Sequence, residues 1–116
     1  MSRERFLLRT KRQPHLRAPK QEAELAKRGG GQTTPGSGSG YQKGDVKGYR
    51  GFIRIEAKTT SHDSFRVTQE MLDKIEEAAL ANQEIPVLII EFQKHGRKVR
   101  EVAVVPSYIL DELNPT

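Results

Sequence analysis

The segment Val87-Leu-Ile-Ile-Glu-Phe92 is an almost continuous apolar run entered through Pro86. A run without core-to-solvent alternation suits a strand buried on both faces. The chain has 116 residues, enough for one modest core and at most one domain. Apolar residues make up 34% of it and charged residues 30%, so a compact domain with a largely ionic surface is expected.

The neighbouring segments supply what such a strand must pair with. After the turn-like His95-Gly-Arg-Lys98 comes Val99-Arg-Glu-Val-Ala-Val-Val105, a further strand. Upstream, residues 42 to 48 and 51 to 58 flank Gly48-Tyr-Arg-Gly51, which predicts a β-hairpin. In its second arm Ile53, Ile55 and Ala57 alternate with Phe52, Arg54, Glu56 and Lys58. Thr68 is placed to cap a helix running to about Asn82, with Glu70 in its first turn. Its stripe of Met71, Leu72, Ile75, Ala78 and Ala79 is read as core against the sheet, with a dimer interface as the alternative.

Pro19 at a first helical turn, followed by Gln21-Glu-Ala-Glu-Leu-Ala-Lys-Arg28, predicts a short helix stopped by Gly29-Gly30-Gly31. A short strand over 32 to 34 follows, and Ser107 is placed to cap a last helix over 108 to 113. The order is αβββαββα, an α/β (α+β) fold with a mixed sheet and helices packed on it. Residues 1 to 18 are read as a basic N-terminal arm and residues 19 to 116 as one domain. The run Thr34-Pro-Gly-Ser-Gly-Ser-Gly40 has linker composition, but one domain leaves nothing to link, so it is read as a functional loop.

Several function classes drop out at this stage. The chain contains no cysteine, which removes disulfides, thiolate zinc sites and cysteine nucleophiles. No stretch approaches the roughly 20 apolar residues of a membrane span. The start Met-Ser-Arg-Glu-Arg-Phe-Leu-Leu-Arg lacks the features of a signal peptide, so a cytoplasmic location is expected, the host cytoplasm if the chain is phage-encoded. His15, His62 and His95 show no metal-ligand spacing and are given no role. Net charge is +5, and residues 1 to 30 carry nine Lys or Arg against three Glu. A basic arm on a nearly neutral body fits an anionic partner such as nucleic acid, and equally a solvated tail.

Asp45 and Glu56 fall on opposite arms of the hairpin, whose strands lie about 4.8 Å apart, so their carboxylates can converge on one cation. Glu56 and Lys58 project from one face, with the Ala57 backbone carbonyl between them as an extra oxygen ligand. Oxygen ligands of this kind suit Mg²⁺, with Mn²⁺ as an alternative. A metal and a lysine are what phosphodiester hydrolysis requires: an activated water and stabilisation of charge at phosphorus. Arg54, Glu56 and Lys58 are also what the solvated face of any amphipathic strand looks like, so the E-x-K spacing alone is unspecific.

Gly44-Asp45 followed by Ile55-Glu56-Ala57-Lys58 resembles the PD-(D/E)XK nuclease motif, with Gly where the family often has Pro. Within that superfamily the chain resembles Holliday-junction resolvases of the archaeal and phage type. The similarity rests on Gln21-Glu-Ala-Glu-Leu25, Pro35-Gly-Ser-Gly-Ser-Gly40, Gly44-Asp-Val46 and Ile55-Glu-Ala-Lys-Thr-Thr60, and spans roughly residues 20 to 105. The resemblance implies a restriction-endonuclease-like core and a catalytic set of Glu22, Asp45, Glu56 and Lys58. Glu22 would complete the metal site, with Glu24 as runner-up, Asp45 and Glu56 would be the principal ligands, and Lys58 the catalytic lysine. It places Ser37 or Ser39 near the scissile phosphate and puts Lys43 and Gln69 beside the site.

The expected function is therefore a homodimeric, Mg²⁺-dependent endodeoxyribonuclease that makes paired nicks in four-way DNA junctions. Arg9, Lys11, Arg12, Arg17 and Lys20 are expected to contact DNA. No small-molecule cofactor and no membrane partner is expected. The alternatives are a nuclease of the same fold acting on other branched or duplex DNA, and a catalytically inert DNA-binding module.

Overall fold

The structure is a computed structural model and describes residues 17–34 and 45–113. Its first element, helix α1, covers residues 17–29, so the helix is already formed at Arg17, two residues ahead of the expected start at Pro19. Arg17, Gln21 and Leu25 recur at intervals of four and form its buried stripe. The helix ends at the glycine triplet. Gly30 takes φ +71°, open to glycine without strain, and the Gly31 N–H donates to the Ala26 carbonyl at 2.9 Å. A side chain at Gly29 would collide with the ring of Tyr49, so this glycine lets the helix end sit against the sheet.

Five strands make one mixed sheet in sequence order, β1 (Gln32–Thr33), β2 (Asp45–Tyr49), β3 (Ile53–Thr60), β4 (Ile85–Lys94) and β5 (Arg97–Val104). Only β3 and β4 are parallel, and the crossover between them is helix α2 (Gln69–Leu80). All other neighbours are antiparallel. Helix α3 (Tyr108–Glu112) closes the described chain. The expected order αβββαββα and the mixed sheet are both observed.

The two faces of the sheet build two cores. On one face Leu25 of α1 packs with Val46, Ile55, Ala57, Val87 and Ile89. On the other, Ile75 of α2 packs with Leu88 and Ile90, with Met71 and Phe92 against them. Odd and even residues of β4 thus serve opposite cores, which is why Val87 through Ile90 could not alternate in polarity. Thr68 caps α2 as expected, its hydroxyl accepting from the Met71 N–H at 3.2 Å. Strand β5, at the edge of the sheet, is mostly exposed. Among the described residues no helix is long and apolar enough to cross a membrane.

Candidate active site

The alternation of β3 that buries Ile55 and Ala57 against α1 sends Arg54, Glu56 and Lys58 to the α2 side. There they meet a groove of about 780 Å³ between the sheet and α2, also lined by Asp45, Thr68, Glu70 and Lys74. Asp45 begins β2 and is the register partner of Glu56. Directly opposed residues of an antiparallel pair hold their Cβ atoms about 5 Å apart, so the two carboxylates share one spot on the groove wall. Lys58 Nζ lies 3.2 Å from Glu56 Oε1.

Putting two acids together in a partly dry place changes their chemistry. Glu56 is pushed up to about 7, first by burial and then by hydrogen bonding and charge from Asp45; Lys58 works in the opposite direction. Asp45 Oδ1 is buried and has no hydrogen-bond partner among the described residues. A buried carboxylate oxygen left unpaired, next to a second carboxylate with a raised titration point, is the arrangement that a bound cation relieves. Asp45 and Glu56 therefore fit a hard divalent ion on the chemistry of their own atoms. The Ala57 carbonyl stays at its expected place in β3 between Glu56 and Lys58.

Glu22 reaches the same neighbourhood from α1, across the sheet. Burial and the charge of Asp45 raise it to about 6. Among the described residues no three acidic or histidine side chains form a group that could hold a metal. Glu24 takes a different role. It pairs with Arg17 at 2.9 Å, which holds its carboxyl below the usual range.

What brings α1 to this position is a set of polar contacts that the sequence reading did not single out. Gln21 Nε2 donates to the Lys58 carbonyl at 2.8 Å, tying the helix to the strand that carries the site. Arg17 Nε and Nη2 donate to the two oxygens of Glu91, each at 2.7 Å, and Thr59 Oγ1 donates to Glu91 Oε2 at 3.1 Å. Glu91 is fully buried. Arg17, expected to contact DNA as part of a basic arm, is instead nine-tenths buried and committed to two carboxylates. The chain ahead of Pro19 therefore belongs in part to the folded domain. One signal pointed this way: Glu91 is the lone charge in the apolar run, and a buried carboxylate demands a partner.

The other expected contacts divide between exposed positions and undescribed ones. Lys20 is exposed on α1, and Gln69 is exposed in the first turn of α2, beside the groove residues Thr68 and Glu70. Arg9, Lys11, Arg12, Ser37, Ser39 and Lys43 lie outside the described residues. Compared with known proteins, the chain matches no family model, no curated protein and no solved structure.

Proposed function

We propose that this chain is a metal-dependent endodeoxyribonuclease of the PD-(D/E)XK kind, acting as a homodimer that nicks paired strands of four-way DNA junctions. The observation that carries this reading is the register of Asp45 opposite Glu56, with Lys58 against Glu56, on the wall of one open groove. Three residues from two strands become an acid, acid, base cluster, and Asp45 Oδ1 in it is buried without a hydrogen-bond partner among the described residues.

In this scheme Asp45 and Glu56 hold Mg²⁺, with the Ala57 carbonyl as a further oxygen ligand. The ion, when bound, lowers the pKa of a coordinated water and offsets charge at the phosphorus. Lys58 stands over Glu56 and presents an ammonium to the phosphate, where it neutralises charge that grows during attack. Glu22 contributes from behind, through the field it places on Asp45. The basic residues of the N-terminal segment and Lys20 supply electrostatic attraction to the DNA arms.

The test compares a labelled synthetic four-way junction with a matched linear duplex, in Mg²⁺ or EDTA, for the natural chain and Asp45→Asn. Paired nicks near the crossover that need both metal and Asp45 are expected. Equal cutting of the duplex removes junction selectivity, and junction binding without any cutting leaves only a DNA-binding module.

A further inference from the structure

Of the charged groove residues outside the cluster just described, Arg54, Glu70, Lys74 and Glu77, only Arg54 stands on the same strand as Glu56 and Lys58. Arg54 lies two residues before Glu56 on β3 and projects from the same face, about 6.7 Å along the strand. It lines the groove, yet its side chain is only 13% exposed. Among the described residues, two of its guanidinium nitrogens, Nε and Nη1, are buried without a hydrogen-bond partner. Its nearest acid is Glu84, whose Oε1 lies 3.7 Å from Arg54 Nε, beyond hydrogen-bond range and itself unpartnered. Glu84 cannot simply close that gap, because its other oxygen accepts the Gly48 N–H at 2.7 Å, which ties it to the β2–β3 turn.

The guanidinium thus lines the groove with its Nε turned toward Glu84, an ion pair too long to be a hydrogen bond. Buried donors of a charged group are costly to leave unmade, so a shift of the guanidinium toward an acceptor in the groove is favoured. The contrast with Arg17 shows what a satisfied arginine looks like in this fold: four donor contacts to two carboxylates, all within 3.0 Å. An acceptor that matches the guanidinium fork is a phosphate, which arginine binds through two parallel N–H donors. Two residues along a strand is also close to the distance between neighbouring phosphates of one nucleic-acid strand.

We propose that Arg54 binds the DNA phosphate next to the one placed at Asp45, Glu56 and Lys58, and that Glu84, anchored by the Gly48 N–H, positions it for that contact. The inference rests on the nuclease reading for the identity of the ligand. It adds a second phosphate subsite that fixes how the strand lies along β3. One phosphate held at the carboxylate pair leaves the strand free to pivot, whereas two held at a fixed spacing set its direction.

The experiment is a coupling measurement read as binding in EDTA, so that it does not depend on cutting. Junction DNA carrying a single neutral methylphosphonate, moved stepwise along the bound strand, is titrated against the natural chain, Arg54→Met and Glu84→Gln. Thermal melts of each variant confirm folding, and Arg54→Lys serves as a milder substitution that keeps the charge but loses the fork. Arg54→Met is expected to weaken binding of unmodified DNA roughly tenfold or more. One methylphosphonate position should weaken the natural chain to the same degree and cost Arg54→Met nothing further. With Mg²⁺ present, that position should adjoin the nick.

Equal losses for the natural chain and Arg54→Met at every methylphosphonate position overturn the proposal, as does unchanged binding by a folded Arg54→Met; either makes Arg54 a structural partner of Glu84. If the natural chain binds and shows the coupling but cuts nothing, the nuclease reading fails and the phosphate subsite stands. If it binds no DNA, both fail.

Discussion

The two large helices cover opposite faces of one sheet with opposite chemistry. Helix α2 meets β4 through apolar side chains, Ile75 and Met71 with Leu88 and Ile90, the ordinary hydrophobic solution. Helix α1 meets the other face through Leu25 and two polar residues, Gln21 and Arg17, each with a specific partner on β3 or β4. An aliphatic contact tolerates sliding, because it has no direction. A guanidinium with both oxygens of Glu91 and an amide on the Lys58 carbonyl fit in one register only. The face with the polar contacts is the one that brings Glu22 within reach of the charge of Asp45, whereas α2 walls the groove. The difference teaches where placement matters in this fold.

The largest effect should come at the point the polar face serves. Asp45→Asn or Glu56→Gln should lower junction cutting by about a hundred- to a thousandfold, the scale seen when a charge-stabilising group is removed. Binding should be preserved or tightened in gel-shift titrations, since a carboxylate facing phosphate is lost. Glu22→Gln should cost less than either, because what links Glu22 to the pair is the charge of Asp45; an equal loss would place it in the ligand set.

Next is the comparison itself. Arg17→Met leaves Glu91 buried without its cation and should destabilise the chain by about 3–5 kcal/mol in urea melts. Adding Glu91→Leu should recover much of that loss, because an apolar pair often replaces a buried ion pair at little cost. Ile75→Ala on the other helix should cost about 2–5 kcal/mol with no such rescue partner. If the double variant is no better than Arg17→Met alone, the polar contacts on α1 do not behave as an ion pair.

A smaller effect follows from titration. Glu56 and Glu22 rise to about 7 and about 6 from an ordinary 4.5, so the folded chain binds protons that the unfolded chain has released. The stability they confer is full below about pH 4.5 and is lost as pH rises through 6 to 7. Melting temperature in EDTA should therefore fall across that window, and Mg²⁺ should restore it more at pH 8 than at pH 5. Asp45→Asn should flatten the curve by removing the charge that helps raise both groups. The smallest change expected is at the α2 cap, where Thr68→Ala should cost about 1 kcal/mol and leave cutting intact.

Much of this architecture was legible in the chain. Periodicity set the hairpin, the α2 stripe and the doubly buried strand, because burial on one or two faces writes itself directly into the spacing of apolar residues. Alternation on β3 put Glu56 and Lys58 on one face, and the hairpin put Asp45 across from them, so three of the four expected site residues come together as read. Helix α1 was legible as a helix but its buried face was not. Two of the three residues in that stripe are polar, and hydrophobic periodicity cannot see a buried guanidinium or amide.

The element order and the hairpin that sets an acid across from an acid-lysine step are written in the sequence, since periodicity and turn residues act over short spans, whereas the parallel pairing joins Ile53 to Ile85 across α2. Only the tertiary structure decided that Arg17 is a core residue, that Glu24 serves it while Glu22 faces Asp45, and that Arg54 is left with open donors. The physical reason is that a polar side chain takes its role from the partner it finds. Glu91 lies 74 residues from Arg17, a separation that only folding removes.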